Sequence, residues 1–137
     1  MNFLGIDYGE HRVGIAFADS EFRFSFARET IDQQKVNLME RLKEIVLKDK
    51  IDVFVVGMPY HPDGRKNGKN VVVEHFIEEL KKEFPETEIK TQDESYTSVQ
   101  ALSRTSYLSK KKKKQDKGIV DREAASIILQ NYLDENF

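Results

Sequence analysis

The sequence contains no cysteine and no tryptophan, and only three prolines among its 137 residues. Without cysteine, disulfides, thiolate zinc sites and thiol nucleophiles are all excluded. The absence fits a reducing compartment. No run approaches the ~20 apolar residues of a membrane span. The opening residues, Met1 to Glu10, have neither the basic flank nor the apolar stretch of a secretory signal. A soluble, cytoplasmic protein with no membrane partner is therefore expected. An excess of charge is missing too. Lys and Arg number 22 against 24 Asp and Glu, a net charge of −2. Many nucleic-acid-binding domains are clearly basic, and this chain is not on average. No Gly-x-x-x-x-Gly-Lys-Ser/Thr run is present, so a P-loop is excluded. His11, His61 and His75 have no ligand spacing.

What is present reads as one domain over residues 1–137, with no internal repeat and no linker. Phe3, Leu4 and Ile6 end at Asp7-Tyr8-Gly9, a buried strand stopping at a turn. Val13, Ile15 and Phe17 alternate with small residues as a second strand, and Phe22, Phe24 and Phe26 alternate with Arg23 and Ser25 as a third. Short links make these an antiparallel meander. Asp32 is the expected cap of a first helix carrying Leu38, Met39, Leu42, Ile45 and Val46. Val53 to Val56 is a continuous apolar run, the pattern of a strand buried on both faces.

Residues 60–69 read as loop. Val72, Val73, Phe76, Ile77 and Leu80 mark a second helix ending before Pro85, and residues 88–93 a fifth strand. Thr97 is the expected cap of a third helix with Val99, Ala101, Leu102 and Leu108. Ile119 to Leu133 forms a last helix. The order βββαβαβαα predicts an α/β fold. Its five-stranded mixed sheet has the first strand in the middle and helices packed on it.

Ligands in open α/β sheets bind at the carboxyl ends of the strands. Asp7 ends the central strand beside Gly9, with Gly14 in the second strand, where glycine would let backbone approach a ligand. A turn-forming role for Asp7 accounts for that feature equally well. Asp93 and Glu94 end the last strand at the same edge. A hard cation is commonly held by such carboxylates with phosphate oxygens, and a solvated acidic turn is the plainer alternative. Asp121 shares a helical face with Ala125, Ile128 and Tyr132. A carboxylate on such a stripe is costly unless paired or bound to metal, although a first-turn Asp also suits the helix dipole. Lys110 to Lys114 and Lys117 concentrate the positive charge, as a phosphate-backbone contact or a solvated loop.

Four segments then resemble the motifs of the YqgF (RuvX) family. They are Asp7-Tyr8-Gly9 with Arg12-Val13-Gly14-Ile15-Ala16, and Val56-Gly57-Met58-Pro59 with Asp63-Gly64. The third is Asp93-Glu94 with Tyr96-Thr97-Ser98 and Ala101. The last is Lys117-Gly118-Ile119-Val120-Asp121 with Ala124-Ala125 and Ile128-Leu129-Gln130. They keep their order over nearly the whole chain. The resemblance implies an RNase H-like fold and a metal-dependent nuclease using Mg²⁺ or Mn²⁺. It implies 5′-end maturation of pre-16S ribosomal RNA, with pre-ribosomal particles as partners and RNA favoured over DNA. By motif, Asp7, Glu94 and Asp121 are the implied catalytic, metal-binding acids, and Arg12 a phosphate contact. Gly9, Arg12, Thr97, Lys110, Lys111 and Lys112 make up the expected substrate-binding set. Two departures stand out: Ser95 where the family has Arg, and Glu10-His11 where it tends to carry Thr and Lys.

The rival readings are a Holliday junction resolvase, a nucleic-acid-binding module without catalysis, and an ATP-binding module of the actin and sugar-kinase class. A resolvase benefits from a two-fold dimer, and the expectation here is a monomer or weak dimer. RNA bound without metal-dependent cleavage would favour the second, and ATP binding with Mg²⁺ the third.

Overall fold

The structure is a computed structural model that describes residues 1–59, 68–94, 116 and 118–137. Five strands form one sheet: β1 (Asn2–Asp7), β2 (Arg12–Asp19), β3 (Phe24–Asp32), β4 (Val53–Met58) and β5 (Glu88–Asp93). Their spatial order is β3-β2-β1-β4-β5, so the first strand is central as expected. β2 runs antiparallel to both β1 and β3, while β4 runs parallel to β1 and β5 parallel to β4. The helices are α1 (Leu38–Asp49), α2 (Gly68–Glu83) and α3 (Ile119–Asn136).

Period-two alternation divides the sheet between two cores. Leu4, Ile6, Val13, Ile15, Phe54, Val56 and Met58 face α1 and α2, where Leu42, Ile45, Phe76 and Leu80 close the larger core. Phe3, Ala16, Ala18, Val53 and Val55 point the other way and pack on Ala125, Ile128, Leu129 and Leu133 of α3. All six residues of β4 are buried, as its unbroken apolar run requires. Asp7 has the parity of Phe3 and Gly5, which places it on the α3 side of the sheet.

The α3 face is built from small residues. A Cβ on Gly5 would lie 2.9 Å from the carbonyl oxygen of Ala125, and one on Gly14 only 1.9 Å from that of Asp121. Gly14 therefore serves the approach of a helix. The sequence reading had linked it to the approach of a ligand.

The structure moves several expected boundaries. Asp32 ends β3 and caps no helix: its carboxylate accepts the Gln34 N–H at 2.9 Å in a turn. The cap of α1 is Asn37, whose side chain accepts the Glu40 N–H at 3.1 Å. β3 starts at Phe24, excludes Phe22 and runs on to Asp32 past a bulge at Arg28. Phe22, Phe24 and Phe26 alternate as a buried strand would, yet all three are exposed. Ser25 turns toward α3, donating to the Ser126 carbonyl at 2.6 Å. Phe24 and Phe26 thus point to the opposite face, at a sheet edge that α1 does not cover. Gly68 and Lys69 are helix, and α3 extends to Asn136. The expected helix after Thr97 lies outside the described residues.

Candidate active site

The parallel pairing of β1 with β4 and of β4 with β5 brings three strand ends to one edge. Asp7 closes β1. Glu94 follows β5 directly, and its N–H donates to the Met58 carbonyl at 3.1 Å, extending the β4–β5 ladder by one residue. Between them stands Gly57 of β4, and a Cβ there would sit 2.9 Å from Glu94 Oε2. The missing side chain leaves the space in which Glu94 reaches across β4 to hydrogen-bond Asp7.

Two carboxyl groups in contact, both partly withdrawn from water, cannot both ionise easily. Burial, chiefly, with the charge of Asp121, pushes the Asp7 carboxyl up to about 6, against the opposing effects of its hydrogen bond with Glu94 and of Lys69. Burial and then the charge of Asp7 push Glu94 up to about 9, with the same hydrogen bond acting in the same direction. Both shifts run upward, so the pair favours holding a proton between its two carboxyl groups. Lys69, in the first turn of α2, lowers both. The Tyr8 ring stacks on Phe76 of α2 at 4.2 Å, tying this helix to the turn that follows Asp7.

Asp121 enters from the other layer. It lies in the first turn of α3, whose close approach rests on Gly14. Thr30 of β3 fixes that end of the helix by donating to the Gly118 carbonyl at 2.6 Å. Asp121 acts on Asp7 through its charge, while its Oδ2 accepts from Arg12 Nε at 2.8 Å. Arg12 opens β2, and the hairpin leading to it is tight, with the Gly9 carbonyl accepting from Gln33 at 2.6 Å.

Of the three acids expected from the sequence, two come together at the strand ends and the third acts on Asp7 through its charge. Asp7 and Glu94 form a pair, whereas Asp121 is engaged by Arg12. Among the described residues, no group of three or more His, Cys, Asp or Glu is gathered as a metal-ligand set. The donors at the strand ends are all carboxylate oxygens, the type that hard divalent cations prefer. A cation would relieve the repulsion that now holds a proton on the pair. In that respect the residues fit Mg²⁺ or Mn²⁺. Gly9 and Arg12 lie beside this edge. Thr97, Lys110, Lys111 and Lys112 lie outside the described residues, as do Asp63, Gly64 and Ser95. Lys69 was missed by sequence reading because residues 60–69 were read as loop. Its place depends on α2 beginning at Gly68, which the turn-rich run before it conceals.

The family described as "RuvX: Holliday junction resolvase" matches residues 1–135. A relative from Chlorobium luteolum is 37% identical over 134 residues, 97% of this chain and 94% of its own. One from Fusobacterium nucleatum is 36% identical over 132 residues, covering 96% of each chain. Both bear the name "Putative pre-16S rRNA nuclease". Among solved structures, fowlpox virus resolvase with substrate Holliday junction DNA superposes with a TM-score of 0.65 at 15% identity, over 98% of both chains. Thermus thermophilus RuvC with a Holliday junction substrate gives 0.58 at 13% identity, over 98% of this chain and 94% of that one. At such identities the likeness is one of fold, and it is the RNase H-like fold. The chain belongs to the RuvX family of nucleases, enzymes that hydrolyse phosphodiester bonds.

Proposed function

We propose that this chain is a divalent-metal-dependent nuclease of RNA, and that its task is 5′-end processing of pre-16S rRNA in pre-ribosomal particles of the cytoplasm. The observation that carries the reading is the partly buried Asp7–Glu94 pair at the carboxyl edge of the sheet, with Asp121 in its field. The RNA substrate is inferred from the names of the relatives over nearly the whole chain.

Asp7, Glu94 and Asp121 are the residues that would hold Mg²⁺ or Mn²⁺. Such a cation supplies an activated water and charge stabilisation on the phosphate. The protein's own groups do the rest. Arg12 and Lys69 stand on β2 and α2, close to the acids, and offer phosphate oxygens a cation from each element. The Asp7–Glu94 pair favours holding a proton, which arriving positive charge would displace. The α3 layer, seated against Gly5 and Gly14, covers one side of the edge and limits water there.

The test is cleavage of a labelled RNA bearing a pre-rRNA-like 5′ extension, beside single-stranded RNA and a four-way DNA junction, with Mg²⁺, Mn²⁺ or EDTA. Cleavage of the extension should require metal. It should fall by about 100-fold or more in Asp7→Asn and Glu94→Gln, which remove charge at nearly constant shape. Junction cleavage with the same dependence would keep the site and change the substrate. RNA binding without cleavage would refute the enzyme.

A further inference from the structure

One of the three acids is held by a cation that a substrate phosphate could also take. Arg12 Nε donates to Asp121 Oδ2 at 2.8 Å. Among the described residues, Asp121 is the only hydrogen-bond or ion-pair partner of the Arg12 side chain. The two side chains are 44% and 25% exposed. An ion pair that open to water is worth about 1 kcal/mol or less, so it is readily exchanged. A phosphate can take the planar guanidinium through two parallel N–H donors, where Asp121 takes one.

We propose that Arg12 is a positioning residue that withholds Asp121 from the cation until a substrate phosphate takes the guanidinium in its place. This rests on the site reading given above. One partner exchange then serves two ends: the phosphate gains Arg12, and the carboxylate of Asp121 is released toward Asp7 and Glu94. Binding of substrate and binding of metal become mutually reinforcing, since a coupling free energy acts equally in both directions. The site is completed only where a phosphate is present.

The geometry around the pair suits such an exchange. Asp121 belongs to the first turn of a helix whose position is fixed by Thr30 on Gly118 and by the close contact at Gly14. Release therefore requires rotation of one side chain and no movement of α3. Arg12 is the first residue of β2, paired with Asp32 at the end of β3, so its backbone is anchored while its side chain is half-exposed.

The experiment measures Mn²⁺ affinity by calorimetry, without nucleic acid, for the wild type, Arg12→Gln, Asp121→Asn and the double variant, with Arg12→Lys as the conservative control. Arg12→Gln should bind Mn²⁺ about fivefold more tightly, the equivalent of the pair's upper worth. Arg12→Lys should return to the wild-type affinity. In the Asp121→Asn background the gain should vanish. In EDTA, Arg12→Gln should bind single-stranded RNA more weakly, with a salt dependence reduced by about one charge. Equal or weaker Mn²⁺ binding by Arg12→Gln overturns the proposal. So does a gain that persists beside Asp121→Asn, because Arg12 would then act by its charge alone. If Arg12→Gln binds Mn²⁺ no more tightly with Asp121 present than with Asn in its place, Asp121 is no ligand, and the site reading fails together with the inference.

Discussion

Gly57 is the residue on which the acid pair depends, and it carries no chemistry of its own. A methyl group at this position would meet Glu94 Oε2 at 2.9 Å and Ile128 Cδ1 at 2.5 Å. Gly57→Ala must displace one or both. The expected outcome is loss of about 1–3 kcal/mol of stability from overpacking, with cleavage reduced at least tenfold because Glu94 no longer reaches Asp7. Urea titration and RNA cleavage at saturating Mg²⁺ check both parts. The pair itself has a pH signature. The folded protein holds protons on Asp7 to about pH 6 and on Glu94 to about 9, above the ordinary 3.8 and 4.5. It therefore binds more protons than the unfolded chain across that window, and stability falls as pH rises. The contribution is complete below pH ~4 and is lost as pH climbs through 6 and then 9. Glu94→Gln removes most of the penalty. In EDTA at pH 8 it should be more stable than the wild type by about 1–3 kcal/mol, with the difference closing toward pH 5. A wild type equally or more stable at pH 8 would mean that the pair is ionised.

At the scale of elements, α3 is held against the sheet by an absence of side chains. Ala16, Ala18, Gly5 and Gly14 line the strand face beneath it. At Gly14 the obstacle to a larger residue is backbone, the Asp121 carbonyl at 1.9 Å, which no rotamer change can relieve. Gly14→Ala should shift the first turn of α3, cost about 2–4 kcal/mol and break the Arg12–Asp121 pair. Denaturant midpoints and the loss of Arg12-dependent RNA binding would show it. Much of this layer was legible in the sequence. Strand parity alone puts Asp7 with Phe3 and Gly5, and helical spacing alone puts Asp121 with Ala125 and Ile128. The pairing of Asp121 with Arg12 was not legible, because it depends on a side-chain direction across two layers. Nor was Lys69, whose place depends on α2 beginning at Gly68 in a sequence rich in turn formers. Asn37 displaced Asp32 as a helix cap because β3 runs to Asp32, and local propensity cannot count the residues that a neighbouring strand will pair.

Among the described residues, the sheet carries α3 on one face, α1 and α2 on the other, and two unlike edges. At the β3 edge, Gln130 of α3 accepts the Ser25 N–H at 3.0 Å and donates to the Arg23 carbonyl at 3.1 Å, so a side chain occupies backbone groups that another strand could have used. Phe24 and Phe26 remain 64% and 61% exposed beside it. Alternation made them look like core, and only the reach of α1 decides otherwise. Phe24→Ser should leave stability within about 0.5 kcal/mol of the wild type and raise solubility, as measured by light scattering at high concentration. A large loss of stability would mean that the ring is buried. The topology also bears on timing. Asp7 stands in the first strand, Glu94 after the fifth and Asp121 in a helix that follows every other element in chain order. Chains emerge from synthesis N-terminus first. A nascent chain extended through β5 would own two acids and an uncovered sheet face, and no site. On the proposed reading, cleavage would be acquired only when the last helix docks, after Asp7 and Glu94 are already in the chain.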